Sequence, residues 1–218
     1  MAGISYLNKV PKWFPDSHNI YRTIIDFLNC TLPESPAILD VGAGTGNLTK
    51  LVLRKVPNCH VTLFDFSQNM LKEAEKILSK YNGRYEVIIG DFFKNRLLSQ
   101  KYDAVVSSFA IHHGRTRASY LNLYKKIFRA LKKRGVFVCA DVLEGANGII
   151  SRINETGWIN HMLKHYDKSA VDLIIESYKK EDSPVSIDAH FDLLKTAGFS
   201  SCDILWKKYN FGIYTGFK

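Results

Sequence analysis

The chain has 218 residues, 46% of them hydrophobic, and a formal net charge of +9. That length and apolar content fit a single α/β domain with a core of its own and exclude a disordered or collagen-like chain. No apolar run reaches the roughly 18 to 20 residues that span a bilayer, and Met1-Ala2-Gly3-Ile4-Ser5 lacks the charged-then-apolar order of a secretion signal, so a cytoplasmic protein without a membrane partner is expected.

In chain order, residues 1 to 19 show little periodicity, and Pro11 and Pro15 interrupt any helix begun by Tyr6, Leu7 and Val10, which predicts an arm or short cap. Ile20, Ile24, Phe27 and Leu28 recur at helical spacing until Pro33 and Pro36 stop them. Ile38 to Val41 then reads as a strand that breaks into alternating glycines, Gly42, Gly44 and Gly46, before Leu48, Leu51, Val52 and Val56 resume as a helix ending near Pro57. Such a turn lets a ligand lie directly against the main chain. The dinucleotide spacing G-x-G-x-x-G fails at Asn47, and Asp40 stands two residues before the first glycine, so a ligand carrying positive charge is favoured over a pyrophosphate.

His60 to Phe64 is a second strand ending at Asp65, and the stripe from Met70 to Tyr81 is an amphipathic helix ended by Gly83. Tyr85 to Ile89 is a third strand, leading into Gly90-Asp91-Phe92-Phe93. Ala104 to Ser108 is a fourth, followed by Phe109-Ala110-Ile111-His112-His113, then by a helix from about Thr116 to Leu131 that Gly135 closes. Lys125, Lys126, Arg129, Lys132, Lys133 and Arg134 fall on the polar side and end of that helix, a solvated face. Val136 to Ala140 is the fifth strand. Alternation of strand and helix over this length predicts a doubly wound, mostly parallel sheet whose ligand lies at the strand carboxyl ends, where the glycine turn, Asp65, Asp91 and Ser107 to His113 converge.

Residues 143 to 187 are helical in pattern, with Ile149, Ile153, Ile159, Met162, Leu163 and Tyr166, then Val171, Ile174, Ile175 and Tyr178. This segment and the arm before Pro15 are expected to form a lid over the site. A helix near Asp188 to Ala197 and two strands, Cys202 to Tyr209 and Phe211 to Phe217, finish the chain as an antiparallel hairpin. Cys30, Cys59, Cys139 and Cys202 stand singly and read as reduced structural thiols.

Asp40-Val41-Gly42-Ala43-Gly44-Thr45-Gly46, Asp65, Gly90-Asp91-Phe92, Tyr102 to Ser108 with His112-His113, and Leu131 to Val136 together resemble the class I S-adenosylmethionine-dependent methyltransferases of the small-molecule type. The resemblance covers roughly residues 20 to 142 and 188 to 218. It implies a Rossmann-like seven-stranded sheet forming one domain over 1-218, with 143-187 as a cap insertion, and S-adenosyl-L-methionine as cofactor. It assigns the methionine end to Asp40 and the backbone of Gly42, Ala43, Gly44 and Gly46 with Asn47, and places Ser107 and Ser108 beside it. Asp65 suits the ribose hydroxyls, Asp91 the adenine amino group, and Phe66, Met70 and Phe92 the ring, chemistry that carboxylates and apolar groups can do where no phosphate is present.

An in-line methyl transfer needs alignment, exclusion of water and, for an acidic nucleophile, a base. His112 is preferred for that base and His113 is the other candidate. Trp158, His161, His165 and Tyr166 are expected to line the acceptor pocket. His161 and His165 stand four apart, but no Glu completes H-E-x-x-H and no third ligand is evident, so no metal is expected. The acceptor is expected to be a small molecule. A tRNA or rRNA methyltransferase, favoured by the positive charge but lacking Asn-Pro-Pro-Tyr at Ser107-Ser108-Phe109-Ala110, is one alternative, and a cofactor-binding regulator without turnover is another. A nicotinamide dehydrogenase is disfavoured by Asn47. The oligomeric state is not legible.

Overall fold

A computed structural model describes residues 12 to 218; the expected arm over residues 1 to 11 lies outside them. The sheet has seven strands, β1 (Ala37–Val41), β2 (His60–Asp65), β3 (Tyr85–Ile89), β4 (Tyr102–Ser108), β5 (Leu131–Val142), β6 (Ser201–Lys208) and β7 (Phe211–Phe217), in the order β3-β2-β1-β4-β5-β7-β6. The first five are parallel, and β7 runs antiparallel between β5 and the edge strand β6, as the turn between Lys208 and Phe211 dictates. The chain moves outward from β1 through β2 to β3, then crosses to β4 on the other side of β1. That reversal opens a crevice at the carboxyl ends of β1 and β4.

The sheet is covered on both faces because alternate strand residues point to opposite sides. On β5, Val136, Val138 and Ala140 join one apolar layer, with Ile20, Ile24 and Leu28 of α1 (Ser17–Thr31), Val52 of α2 (Asn47–Lys55) and Leu71 of α3 (Gln68–Leu78). Phe137 and Cys139 join the other, with Tyr120, Tyr124 and Ile127 of α4 (Arg117–Ala130) and Leu193 and Leu194 of α7 (Ile187–Ala197). The four cysteines are unpaired. No described helix is long and apolar enough to cross a membrane.

The structure corrects the expectation after α4. The helix stops at Ala130, and Gly135 does not close it, because β5 already begins at Leu131. Lys132 extends its amine to Asp103 on β4, at 2.7 Å, which draws the chain into the sheet, and a register shift against Tyr102 and Ala104 absorbs the extra residues, with Arg134 at φ 65°. The basic run is therefore not one helix face: Lys132, Lys133 and Arg134 are strand residues, and Lys126 donates to the carbonyls of Phe92 and Phe93.

The segment from 143 to 187 holds two helices, α5 (Gly148–Met162) and α6 (Lys168–Glu181), started by Asn147 and Asp167, whose side chains accept from backbone amides of the first turn. Trp158, Met162, Val171 and Ile175 join the core, whereas Ile149, Ile153 and Leu163 of the same apolar pattern are exposed. The turn after Asn147 sets the phase of α5 so that Asn154 and Trp158 take its inner side.

Candidate active site

Three consecutive strand tips build the first cavity, of about 1000 Å³. After β1, Gly42 takes φ +72°, and a Cβ there would stand 2.2 Å from the Cβ of Ala110, so the turn after β1 and the turn after β4 touch through a position that only glycine fits. Ala43, Gly44, Thr45 and Asn47 continue the wall. After β2, Asp65 is buried and accepts from the amide of Gly44 at 2.9 Å and from that of Ser67 at 2.8 Å. It thereby ties two tips together, and its carboxylate keeps further lone pairs for a ligand in the cavity. After β3, Asp91 accepts from the amide of Phe93 at 2.9 Å and pairs with Lys94 at 3.2 Å. Phe66, 68% exposed, and Met70 offer apolar surface at the rim, with Phe92 behind them.

Several expected contacts lie elsewhere. Asp40, 1% exposed, is not on the cavity wall; Thr49 donates to its carboxylate at 2.6 Å, and burial, with the nearby charge of Asp65, pushes its pKa up to about 7 despite that bond. Gly46 is off the wall too: a Cβ there would meet Ala74 at 3.0 Å, so its smallness lets α2 approach α3. Ser107 is fully buried and donates to the carbonyl of Val41 at 2.8 Å, bracing β4 on β1, while Ser108 does line the cavity.

A second cavity, about 520 Å³, adjoins the first and shares Phe109, His113 and Glu181 with it. Its walls are aromatic and come from distant parts of the chain: Trp13 and Phe14, Trp158 on α5, Ile174 and Tyr178 on α6, and Phe211 on β7. Phe109 is at φ 54°, a conformation that costs a bulky residue about 1 to 3 kcal/mol, and its ring stacks on Phe14 at 4.3 Å. Trp158 donates its indole N–H to the carbonyl of Trp13 at 2.7 Å. His161, His165 and Tyr166, expected on the acceptor pocket, line neither cavity. His161 in the last turn of α5 and His165 just beyond it bring their rings to 5.3 Å of each other.

His112 and His113 sit in one turn of 3-10 helix, Ile111–His113. His112 is buried, and its Nδ1 meets a carboxylate oxygen of Asp141 at the end of β5 while its backbone N–H donates to the other oxygen at 2.9 Å. Burial opposes a charge on this imidazole, but Asp141 and Asp182 outweigh it and raise its pKa. Asp141 was missed in the sequence, although an acid ending an apolar strand is the same signal that Asp65 gives. Asp182 and Glu181, at the end of a charged helix, carry no such signal.

The family model for the methyltransferase domain matches residues 38–135. The carboxy-S-adenosyl-L-methionine synthase of Helicobacter hepaticus is 26% identical over 205 residues, covering 91% of this chain and 84% of that protein. The demethylmenaquinone methyltransferase of Thermotoga maritima is 27% identical over 204 residues, covering 85% and 84%. The chain belongs to the class I S-adenosylmethionine-dependent methyltransferases. The methyltransferase also shares its fold with human N-acetylserotonin methyltransferase, at a TM-score of 0.63 and 20% identity over 93% of this chain and 52% of that one.

S-adenosylmethionine is the cofactor of this family, and the first cavity has the chemistry to receive it. Carboxylates at two strand tips suit a diol and an amine, exposed apolar side chains suit a neutral ring, and the glycine backbone leaves room for a chain laid against it.

Proposed function

We propose that this methyltransferase holds its cofactor in the first cavity and a small, largely apolar acceptor in the second. The observation that carries this reading is the shared wall: Phe109, His113 and Glu181 border both cavities, so two molecules seated there meet end to end. In the first cavity Asp65 accepts from the ribose hydroxyls, Asp91 from the adenine amino group, Phe66, Met70 and Phe92 cover the ring, and Gly42, Ala43, Gly44 and Asn47 line the methionine end. When bound, the cofactor supplies an electrophilic methyl group.

The remaining work is done by the chain. The aromatic wall removes water from the acceptor and fixes its direction of approach, which is where most of the rate gain of an in-line displacement arises. His112, oriented by Asp141, and His113 stand at the polar end of the second cavity and are the groups that activate the acceptor. Residues 143 to 187 act as a lid: α6 contributes Lys180 and Glu181 to the first cavity and Ser177, Tyr178 and Glu181 to the second, so its position governs both. The small-molecule reading is supported by the relative named for demethylmenaquinone. A single domain in the cytoplasm accords with one continuous sheet and with the unpaired cysteines.

The test is transfer of a labelled methyl group from S-adenosylmethionine to a metabolite extract and, separately, to total RNA. Label in a small organic product supports the reading; label confined to RNA refutes it.

A further inference from the structure

We propose that His112, His113 and Asp182 form a binding site for a zinc-like divalent transition-metal ion, set in the wall between the two cavities. Among the described residues they are the one group of three or more histidine, cysteine or acidic side chains whose ligand atoms come together, all within 4.8 Å of one another. A carboxylate oxygen of Asp182 lies 3.5 Å from Nε2 of His112 and 3.4 Å from Nδ1 of His113. Both separations are long for hydrogen bonds. They match the edge of a tetrahedron around zinc, which for bonds of about 2.0 to 2.1 Å comes to about 3.3 to 3.4 Å.

The surroundings are those of a ligand set rather than a chance cluster. Asp141 takes the Nδ1 side of His112, which leaves Nε2 as the lone-pair nitrogen facing Asp182, the carboxylate–histidine–metal arrangement that fixes tautomer and ring together. Asp141 is itself held, since it also accepts from the amides of His112 and Val142, both at 2.9 Å. Asp182 is held by its neighbour: the amide of Ser183 donates to the carbonyl of His112 at 3.2 Å, and Tyr120 donates its hydroxyl to the carbonyl of Ser183 at 2.8 Å. Ligands from a turn and from a helix end are thus pinned to each other by the backbone.

Two imidazoles and one carboxylate leave a coordination position open, as in sites that bind a further ligand from outside. All three side chains line the second cavity, so the open position faces it. On the proposed function this deepens the acceptor class to an apolar molecule that presents an oxygen to the ion. With the ion in place the two imidazoles act on the acceptor as ligands of the ion, whose charge lowers the pKa of the bound acceptor oxygen so that its proton leaves to solvent.

The test is titration of chelator-treated protein with cobalt(II), followed by visible absorption and calorimetry, with zinc(II) as competitor. One cobalt per chain with the intense bands of a four- or five-coordinate ion is expected, displaced by zinc. His113→Ala and Asp182→Asn should each weaken cobalt binding about 10- to 100-fold, while His165→Ala leaves it unchanged. S-adenosylhomocysteine calorimetry on the same metal-free samples checks the fold of each variant and tests the cofactor reading by itself. Absence of a cobalt spectrum in protein that binds S-adenosylhomocysteine overturns the site, as does binding that both variants retain at full strength.

Discussion

The two cavities differ in how the chain makes them. The first is assembled mostly from short runs at strand ends, 42 to 48, 65 to 70, 91 to 94 and 108 to 115, so most of its wall is written in nearby residues, with Lys180 and Glu181 of α6 added from afar. The second draws on Trp13, Phe109, Trp158, Tyr178 and Phe211, which meet because Phe14 and Trp158 both pack on Phe211 of β7 and Tyr178 of α6 packs on Trp158. A cofactor shared across a family suits the first kind of construction, since strand tips keep their places whatever is inserted between them. An acceptor that differs from one enzyme to the next suits the second, where a change in one distant helix reshapes the pocket.

Substitutions in one cavity should spare the other, and the effects rank accordingly. Gly42→Ala is expected to be the most damaging, because it places a methyl group 2.2 Å from the Cβ of Ala110 at a φ of +72°. S-adenosylhomocysteine affinity should fall more than about 100-fold, with about 2 to 3 kcal/mol lost in stability, read by calorimetry and denaturant melts. Asp65→Ala should weaken the same ligand by about 1 to 3 kcal/mol in a folded protein, and unchanged affinity would detach Asp65 from the ribose. Ser177→Phe, on an exposed turn of α6 that borders the second cavity, should raise the acceptor KM by roughly tenfold and leave the cofactor analogue bound as before.

The smallest effect on either ligand is expected at Asp40, which lines neither cavity and is read through stability instead. Its folded pKa of about 7 lies above its ordinary 3.8, so the fold holds this proton more tightly than the unfolded chain does. The cost of ionising it is absent below the lower value, grows between the two and is complete above the higher one. Asp40→Asn should therefore gain on the parent protein as pH rises from about 5 to about 8, by on the order of 2 kcal/mol, or about 4 to 8 °C in Tm, whatever constant offset a weaker bond from Thr49 adds. A variant that instead loses ground with rising pH would show that Asp40 is used as a charge.

The same contrast explains what the sequence disclosed. Strand and helix periods located every parallel strand, although β5 begins at Leu131 and not at Val136, and acids at strand tips located Asp65 and Asp91. Asp40 and Ser107 obey the same pattern, but an acid or a serine one residue inside the strand is turned into the sheet, and nothing in the local spacing tells the two cases apart. Gly135 reads as a helix stop because glycine often is one; a pull from Asp103 on Lys132, twenty-nine positions apart, is a tertiary effect. Asp182 and, apart from Trp158, the aromatic wall were illegible for the same reason, since their partners lie far away along the chain.

The division between the cavities is tested most directly by titrating S-adenosylhomocysteine into the parent protein, Asp65→Ala and Ser177→Phe under identical conditions. The account predicts one site per chain in the parent, clear weakening in Asp65→Ala and parent-like affinity in Ser177→Phe. Weakening of equal size in both variants, or no binding to the parent protein, would contradict it.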